Sequence, residues 1–138
     1  MMATTFRFIL TTPEATVLEA DVVSVQASSS DGSFGVLASH QPMIRALTPH
    51  VLTFQAQDGA LRRVALVHGG LFTTDGAKVT VLADTAELDT SLDAARAEEA
   101  RQRAEQHLAS QQADADSARA ELALQRAMLR LKATQAHH

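Results

Sequence analysis

All six glycines, all three prolines and all five phenylalanines of this 138-residue chain lie at or before Gly76. Beyond about residue 84 the sequence becomes rich in Ala, Glu, Gln and Arg, which form helices readily and strands poorly. Residues that favour turns and strands are therefore confined to the first part of the chain. The composition predicts a β domain over residues 1–86 followed by a helical region over residues 87–138.

Short runs rich in Val, Phe, Leu and Thr fill the chain up to Leu82, and none is long enough for a helix. The predicted strands include 6–10, 22–27, 51–56, 63–67 and 78–82. Glycine-containing turns separate the runs at 30–32, 58–59, 69–70 and 75–76. Glycine supplies the positive φ angles that tight hairpins require, and many short strands at close spacing are typical of a β sandwich or barrel.

Helical periodicity begins after Thr90, which can cap the N-terminus of a helix with Asp93 as the acidic partner of a capping box. Small apolar residues then recur at three- and four-residue spacing, at Ala97, Ala100, Ala104 and Leu108. The remaining surface of this helix is charged or polar. The pattern predicts an amphipathic helix with a thin apolar face.

A polar stretch over residues 110–116 predicts a bend, in which Asp114 or Asp116 can cap a second helix from about residue 117 to residue 133. The apolar residues of that helix are Leu122, Leu124, Ala127, Met128, Leu129 and Leu131. The two helices should form an antiparallel hairpin with mainly Ala on the facing surfaces. Burying an Ala methyl contributes under about 1 kcal/mol, against roughly 1.5–3 kcal/mol for a Leu, so we predict a hairpin that can come away from its neighbours.

Several classes of protein are disfavoured by what the chain lacks. Without cysteine there is no disulfide, no thiolate nucleophile and no cysteine-ligated metal site. The net charge of −4 argues against a nucleic-acid partner, which usually meets a basic face. No apolar run approaches the roughly 20 residues that span a bilayer, and no signal-peptide pattern opens the chain, so we expect a cytoplasmic protein without direct membrane insertion.

Two longer motifs follow each other near the junction of the two regions: Val-Thr-Val-Leu-Ala-Asp-Thr-Ala at 79–86 and Leu-Asp-Ala-Ala-Arg-Ala at 92–97. Supporting segments are Asp-Gly-Ser-Phe-Gly-Val-Leu at 31–37, His-Gln-Pro-Met at 40–43 and Val-His-Gly-Gly-Leu at 67–71. In content and order these segments resemble the ε subunit of bacterial F-type ATP synthases. The family commonly has Pro-Gly before the histidine of the second supporting segment, where this chain has Ala38 and Ser39.

The resemblance implies a flattened, roughly ten-stranded β sandwich that docks on the γ subunit and the c-ring, followed by the helical hairpin. The hairpin of the family either folds down against the sandwich or extends along γ toward the α and β subunits, where it restrains ATP hydrolysis. By resemblance the chain is a non-catalytic central-stalk subunit that requires no cofactor. It would lie peripherally at the cytoplasmic face of the bacterial inner membrane.

In some members of the family the folded-down hairpin binds ATP as a regulatory ligand. The corresponding residues here are Glu87, Leu92, Asp93, Arg96, Ala97, Arg103, Arg126 and Arg130. Converging guanidinium groups suit a triphosphate, and the two carboxylates can accept hydrogen bonds from the adenine or ribose. The chain has no P-loop, so we expect binding without hydrolysis. The alternative is that these arginines only form surface ion pairs with Glu98, Glu99, Glu105 and Glu121.

The last part of the chain is basic, although the whole protein is acidic. Against the single Glu121, the second helix carries Arg119, Arg126, Arg130 and Lys132. The family resemblance implies that these residues meet acidic segments of the β subunits when the hairpin extends. Alternatively, they only complement the dipole at the C-terminal end of the helix.

Two other functions stay open at this point. An enzyme of its own would depend on six histidines, but they are scattered and show no His-x-His or His-Glu-x-x-His spacing, so no catalytic or metal-ligating residue is predicted. The other alternative is a free-standing β-sandwich module with a helical appendage that binds carbohydrate or protein ligands. Such sugar sites usually present aromatic platforms, and this chain has no Trp or Tyr.

Overall fold

The computed structural model describes residues 4–109 and 114–134, except for the side chains of residues 114–116. The strands are β1 (Phe6–Thr11), β2 (Thr16–Ser29), β3 (Gly32–Leu37), β4 (Met43–Leu47), β5 (His50–Ala56), β6 (Leu61–Leu66), β7 (Gly70–Thr74), β8 (Lys78–Leu82) and β9 (Glu87–Leu88). A 3-10 turn (Asp89–Ser91) precedes helices α1 (Ala94–Ala109) and α2 (Asp114–Thr134). The predicted fold class, a β sandwich followed by two helices, is confirmed.

Strand β2 connects the two layers of the sandwich. Its 14 residues pair with β1 in the first half and with β3 and β5 in the second, with an irregular register between Val22 and Ser24 opposite β5. β1 also pairs in parallel with β8, and β8, β7 and β4 lead back to the end of β2, where Ser29 meets Leu47. The continuous sheet therefore folds over itself and encloses a core.

The core lies between these layers and is filled by residues that alternate along the strands. In β1, Phe8 and Leu10 are fully buried while Arg7 points to solvent, the period of two expected of a half-buried strand. Phe8 packs against Phe54 with ring centroids 5.3 Å apart. All buried residues of this core cluster lie between residues 6 and 83. No buried residue of this core cluster therefore belongs to a helix.

Positive φ angles occur in the four predicted glycine turns, at Gly32, Gly59, Gly69 and Gly76. Gly69 is the tightest of them, because a Cβ atom there would overlap the carbonyl oxygen of Leu47. Among the described residues, Ser39 is the only other residue with positive φ, at 65°. The turn before His40 therefore keeps a conformation that favours glycine although it carries serine.

Helix α1 starts later than predicted and uses a different cap. Oδ1 of Asp93 accepts hydrogen bonds from the amides of Ala95, at 3.0 Å, and Arg96, at 3.2 Å. Thr90 lies in the 3-10 turn, and Leu92 is extended (φ −87°, ψ 142°), which separates that turn from the helix. The predicted Thr90 cap is wrong because the carboxylate of Asp93 satisfies two of the free amides at the helix start.

Helix α2 starts earlier than predicted, at Asp114. The bend predicted over 110–116 is therefore wrong for its last three residues, while 110–113 lie outside the described residues. The side chains of Asp114 and Asp116, to which a capping role was assigned, also lie outside the described part of the chain.

The helical hairpin is packed with small residues, as predicted. In the described part, the buried residues of α1 and α2 are all alanines: Ala97, Ala104, Ala120, Ala127 and Ala133. The end of α2 docks on β5 and β6, where Ala133 and Leu129 meet Ala65 and Val67. Leu122 and Met128, which the sequence places on the apolar side of α2, are instead more than half exposed. Neither described helix is long and apolar enough to cross a membrane.

Candidate functional site

A cleft of about 430 Å³ lies where the beginning of α1 faces the end of α2. Seven of the eight residues predicted to bind ATP line this cleft: Glu87, Leu92, Asp93, Arg96, Ala97, Arg103 and Arg130. Ser91 and Ala100 complete the lining, and no sequence pattern indicates either as a binding residue. The eighth residue, Arg126, lines a separate and larger groove beside α2. The structure thus brings together residues that lie up to 43 positions apart.

The two carboxylates of the cleft, Glu87 and Asp93, are held by the β6–β9 pairing and by the start of α1. β9 pairs with β6, with Glu87 opposite Ala65, and this places the Glu87 side chain under the end of α2. Asp93 is held by its cap hydrogen bonds at the start of α1, all of which use Oδ1. Its Oδ2 has no hydrogen-bond partner within the described residues, so this oxygen keeps its capacity to accept a hydrogen bond.

Glu87 and Arg130 form the one ion pair of the cleft in the described part of the chain. Nε of Arg130 lies 3.0 Å from both carboxylate oxygens of Glu87, and an Nη atom lies 2.9 Å from Oε1. Both side chains are about one-third exposed, at 32% and 31%. The forked pair joins the last turns of α2 to the sheet and neutralises one of the three guanidinium groups in the cleft.

Arg96 and Arg103 remain without an ion pair among the described residues. Two of the four glutamates named as alternative partners, Glu98 and Glu105, are used elsewhere, because both pair with Arg101. Two exposed guanidinium groups beside the Glu87–Arg130 pair leave the cleft with a positive surface. Such a cleft can hold a phosphorylated or other polyanionic ligand by forked hydrogen bonds.

The described histidines and carboxylates are not arranged as a metal site. Within the part of the chain that the structure describes, no group of three His, Asp or Glu side chains is placed to hold a metal ion. His50 of the β domain is used in local hydrogen bonds: one ring nitrogen accepts from the amide of Ser28 at 3.1 Å, and the other donates to the carbonyl of Thr48. What the cleft can do is bind and orient an anion.

A second ion pair, which the sequence reasoning missed, anchors the chain just before the cleft. Arg62 donates three hydrogen bonds of 2.8–3.2 Å to the carboxylate of Asp89, which also accepts from the amide of Arg63 at 3.1 Å. Burial acts to raise the pKa of the Asp89 carboxyl, but the hydrogen bonds from Arg62 and Arg63 outweigh it and hold that pKa below its ordinary value. The 3-10 turn is thereby fixed to β6, and no sequence pattern announces this long-range pair.

Two family models together match almost the whole chain. The model described as ATP synthase, Delta/Epsilon chain, beta-sandwich domain matches residues 5–89, and the model described as ATP synthase, Delta/Epsilon chain, long alpha-helix domain matches residues 91–135. The chain belongs to the ATP synthase delta/epsilon chain family. The family resemblance found in the sequence motifs is therefore confirmed.

Relatives of this family include the ATP synthase epsilon chain of Symbiobacterium thermophilum, 47% identical over 126 residues that cover 91% of this chain and 89% of the relative. The ATP synthase epsilon chain of Desulforamulus reducens is 41% identical over 134 residues, which cover 97% of this chain and all of the relative. Both bacterial proteins match over the sandwich and the hairpin together.

Solved structures share the fold of this family member at low sequence identity. A chain of the Euglena gracilis mitochondrial ATP synthase (OSCP/F1/c-ring) aligns with a TM-score of 0.79 at 20% identity, covering 98% of this chain and 84% of that one. A chain of the Tetrahymena thermophila mitochondrial ATP synthase central stalk and c-ring aligns with a TM-score of 0.58 at 16% identity, covering 98% and 100%. The sandwich and the hairpin are thus a known combination.

Proposed function

We propose that this chain is a non-catalytic rotor subunit of a bacterial F-type ATP synthase, whose hairpin regulates ATP hydrolysis by leaving or keeping its place on the sandwich. The observation that supports this most directly is the weak attachment of the hairpin to a domain that has a complete core of its own. The alternative of a free-standing sandwich module does not account for the family match over both parts of the chain.

An apolar face on the sandwich suits attachment to the central stalk. Ile44, Leu71 and Leu82 are 75%, 38% and 46% exposed, and their strands β4, β7 and β8 are adjacent in the sheet. Leu71 is directly opposite both Ala46 and Leu82 in the register, so these residues form one continuous outer surface. A surface of this kind marks a protein interface, and we assign it to the γ subunit and the c-ring.

In the described part of the chain, few interactions hold the end of α2 on the sandwich. They include the Ala133 and Leu129 contacts, the Glu87–Arg130 pair, and a 3.4 Å hydrogen bond from Arg63 to the carbonyl of Lys132. One partly buried Leu, one Ala methyl and a partly exposed ion pair together contribute about 2–4 kcal/mol. A conformational difference of that size leaves a minor population with the hairpin released.

Release would change the charge that α2 presents. In the docked hairpin Arg130 is neutralised by Glu87, whereas in the released hairpin it joins the other basic residues of α2: Arg119, Arg126 and Lys132. Opposite charges on the α and β subunits would then steer and hold the extended helix. The docked form leaves hydrolysis unrestrained, and the extended form blocks the rotor.

ATP binding in the cleft would favour the docked form. The cleft is built from β9, α1 and α2, so a ligand that contacts all three holds the hairpin in place. Arg96 and Arg103 would take the phosphates, and Glu87 and Asp93 would accept from the adenine or ribose. Arg126 lies one helical turn before Arg130 and would reach an extended triphosphate by turning its side chain out of its groove.

Calorimetry of the full chain with ATP tests the nucleotide site. Binding that is lost in Arg103→Ala and retained in Arg119→Ala is expected, because Arg103 lines the cleft and Arg119 does not. No heat at millimolar nucleotide, or equal loss in both variants, would refute the nucleotide proposal. The rotor assignment has a separate test, in which the chain must co-purify with γ and lose that association when Ile44→Glu is introduced on the apolar face.

A further inference from the structure

A groove of about 1020 Å³, here named the α2 groove, lies between α2 and the edge of the sandwich. Pro49, Val67 and His68 form its wall on the sandwich, and Leu122, Met128 and Leu129 form its wall on α2. This groove is distinct from the cleft that holds Arg96 and Arg103. None of the functions assigned above uses its apolar walls.

Large apolar side chains are left in solvent along this groove. Leu122 is 56% exposed and Met128 is 55% exposed, although Ala120, Ala127 and Ala133 of the same helix are almost completely buried. From Leu122 to the end of the groove at Lys132 the helix rises about 15 Å, or roughly three turns. A helical segment of similar length can bury both side chains at once.

Basic groups without acidic partners flank these side chains. Arg101, Arg126 and Lys132 line the groove, and no carboxylate does so in the described part of the chain. Arg101 is already paired with Glu98 and Glu105, but Arg126 and Lys132 make no ion pair with any described residue. Unpaired cations beside an apolar surface match a ligand that is both acidic and apolar.

We propose that the α2 groove binds an acidic amphipathic helix of a protein partner. Apolar residues of the partner helix cover Leu122, Met128 and Leu129, and carboxylates on its flanks meet Arg126 and Lys132. A helix is favoured over a small ligand because the residues of α2 that line the groove extend over about three helical turns, from Leu122 to Lys132. The inference goes beyond nucleotide binding and does not depend on it.

The groove also links partner binding to the position of the hairpin. One wall belongs to the sandwich and the other to α2, with Arg101 contributed by α1, so the complete groove exists only while the hairpin is docked. A partner helix in the groove therefore stabilises the docked form and opposes extension of α2.

Two fluorescein-labelled synthetic helices of about 14 residues, roughly four turns, test the charge and shape of the groove. Both carry Leu on one face, and they differ only in having Glu or Lys at every flanking position. Fluorescence anisotropy is measured with the full chain, without nucleotide and at low ionic strength. We expect the acidic helix to bind at least about tenfold more tightly than the basic one, and Arg126→Glu to abolish or reverse that preference.

Arg119→Glu provides the matched control, since Arg119 is an exposed cation of α2 outside the groove. Met128→Gln should weaken the acidic helix while leaving the circular dichroism of the chain unchanged, which separates lost contact from lost folding. Equal binding of the two helices, or equal effects of Arg119→Glu and Arg126→Glu, would overturn the proposal. A third arm uses laurate: if laurate binds and neither helix does, the groove takes an anionic lipid and the protein partner is refuted.

Discussion

Ala133→Lys should release the hairpin from the sandwich without unfolding the sandwich. Ala133 is 1% exposed and packs against Ala65 and Val67, which are 0% and 4% exposed. A lysine at this position would bury an unpaired charge beside Arg63, whose guanidinium reaches the carbonyl of Lys132. The penalty for such a charge is several kcal/mol, whereas the docking contacts contribute only about 2–4 kcal/mol, so the released form should predominate.

Hydrogen exchange of the amides in α1 and α2 measures this release. We expect exchange in the hairpin to rise about 100-fold, which corresponds to a loss of about 2.7 kcal/mol, while amides of β1 and β8 keep their protection. Ala118→Lys is the matched control, because it adds the same charge at an exposed position of α2. Exchange in Ala133→Lys that stays within threefold of this control would refute the claim that these contacts hold the hairpin.

Three other perturbations test separate parts of the structure. Ser39→Gly should raise the free energy of unfolding by about 1 kcal/mol, because a non-glycine residue at φ 65° is strained, and a lower thermal midpoint would contradict this. Asp89→Asn should flatten the acid side of the stability curve in urea titrations. Folding lowers the pKa of Asp89, so its carboxylate stabilises the fold at pH values above the pKa of the unfolded chain, about 3.9. This stabilisation is lost as the pH falls through the lower pKa of the folded chain. An unchanged pH profile would show that the Arg62–Asp89 pair is not responsible. Leu82→Glu should abolish co-purification with γ while the isolated chain keeps its melting temperature, since Leu82 is 46% exposed; retained co-purification would place the interface elsewhere.

Local sequence patterns were sufficient to predict most of the fold. Because Gly, Pro and Phe occur only up to Gly76, the sequence separates the strand region from the helices. The glycine turns mark four chain reversals. Strand β2 was recognised only in part, because its first half contains Glu19 and Ala20 and lacks a clear alternation. Its length depends on pairing with β1, which precedes it, and with β5, which lies much further along the chain.

The helix starts were predicted less well because several residues competed for the same role. Thr90 and Asp93 are both good caps, and only the extended backbone of Leu92 decides between them. The side-chain pairs were beyond prediction for a different reason. Arg62 and Asp89 are 27 residues apart, and their meeting depends on the β6–β9 pairing, which two residues of β9 do not reveal.

Most residues of the candidate cleft came from the family resemblance, and the structure adds their arrangement. It shows that Glu87 holds Arg130 before any ligand arrives and that Arg126 lies in the α2 groove. The elements that each arginine of α2 faces depend on how the hairpin is rotated against the sandwich. That rotation is set by Ala133 and Leu129 packing on β6, which helical periodicity alone does not determine.

ATP hydrolysis by the assembled enzyme, compared among three forms of this subunit, tests the regulatory role of the hairpin most directly. The forms are the full chain, a chain that ends at Thr90, and Ala133→Lys. We predict that hydrolysis is fastest with the truncated chain, intermediate with the full chain and slowest with Ala133→Lys. In the assembled enzyme, contacts with the α and β subunits hold part of the full chains in the extended form; removal of the hairpin abolishes this block, and release of the hairpin by Ala133→Lys increases it. Equal rates with the truncated and full chains, or faster hydrolysis with Ala133→Lys than with the full chain, would contradict the account.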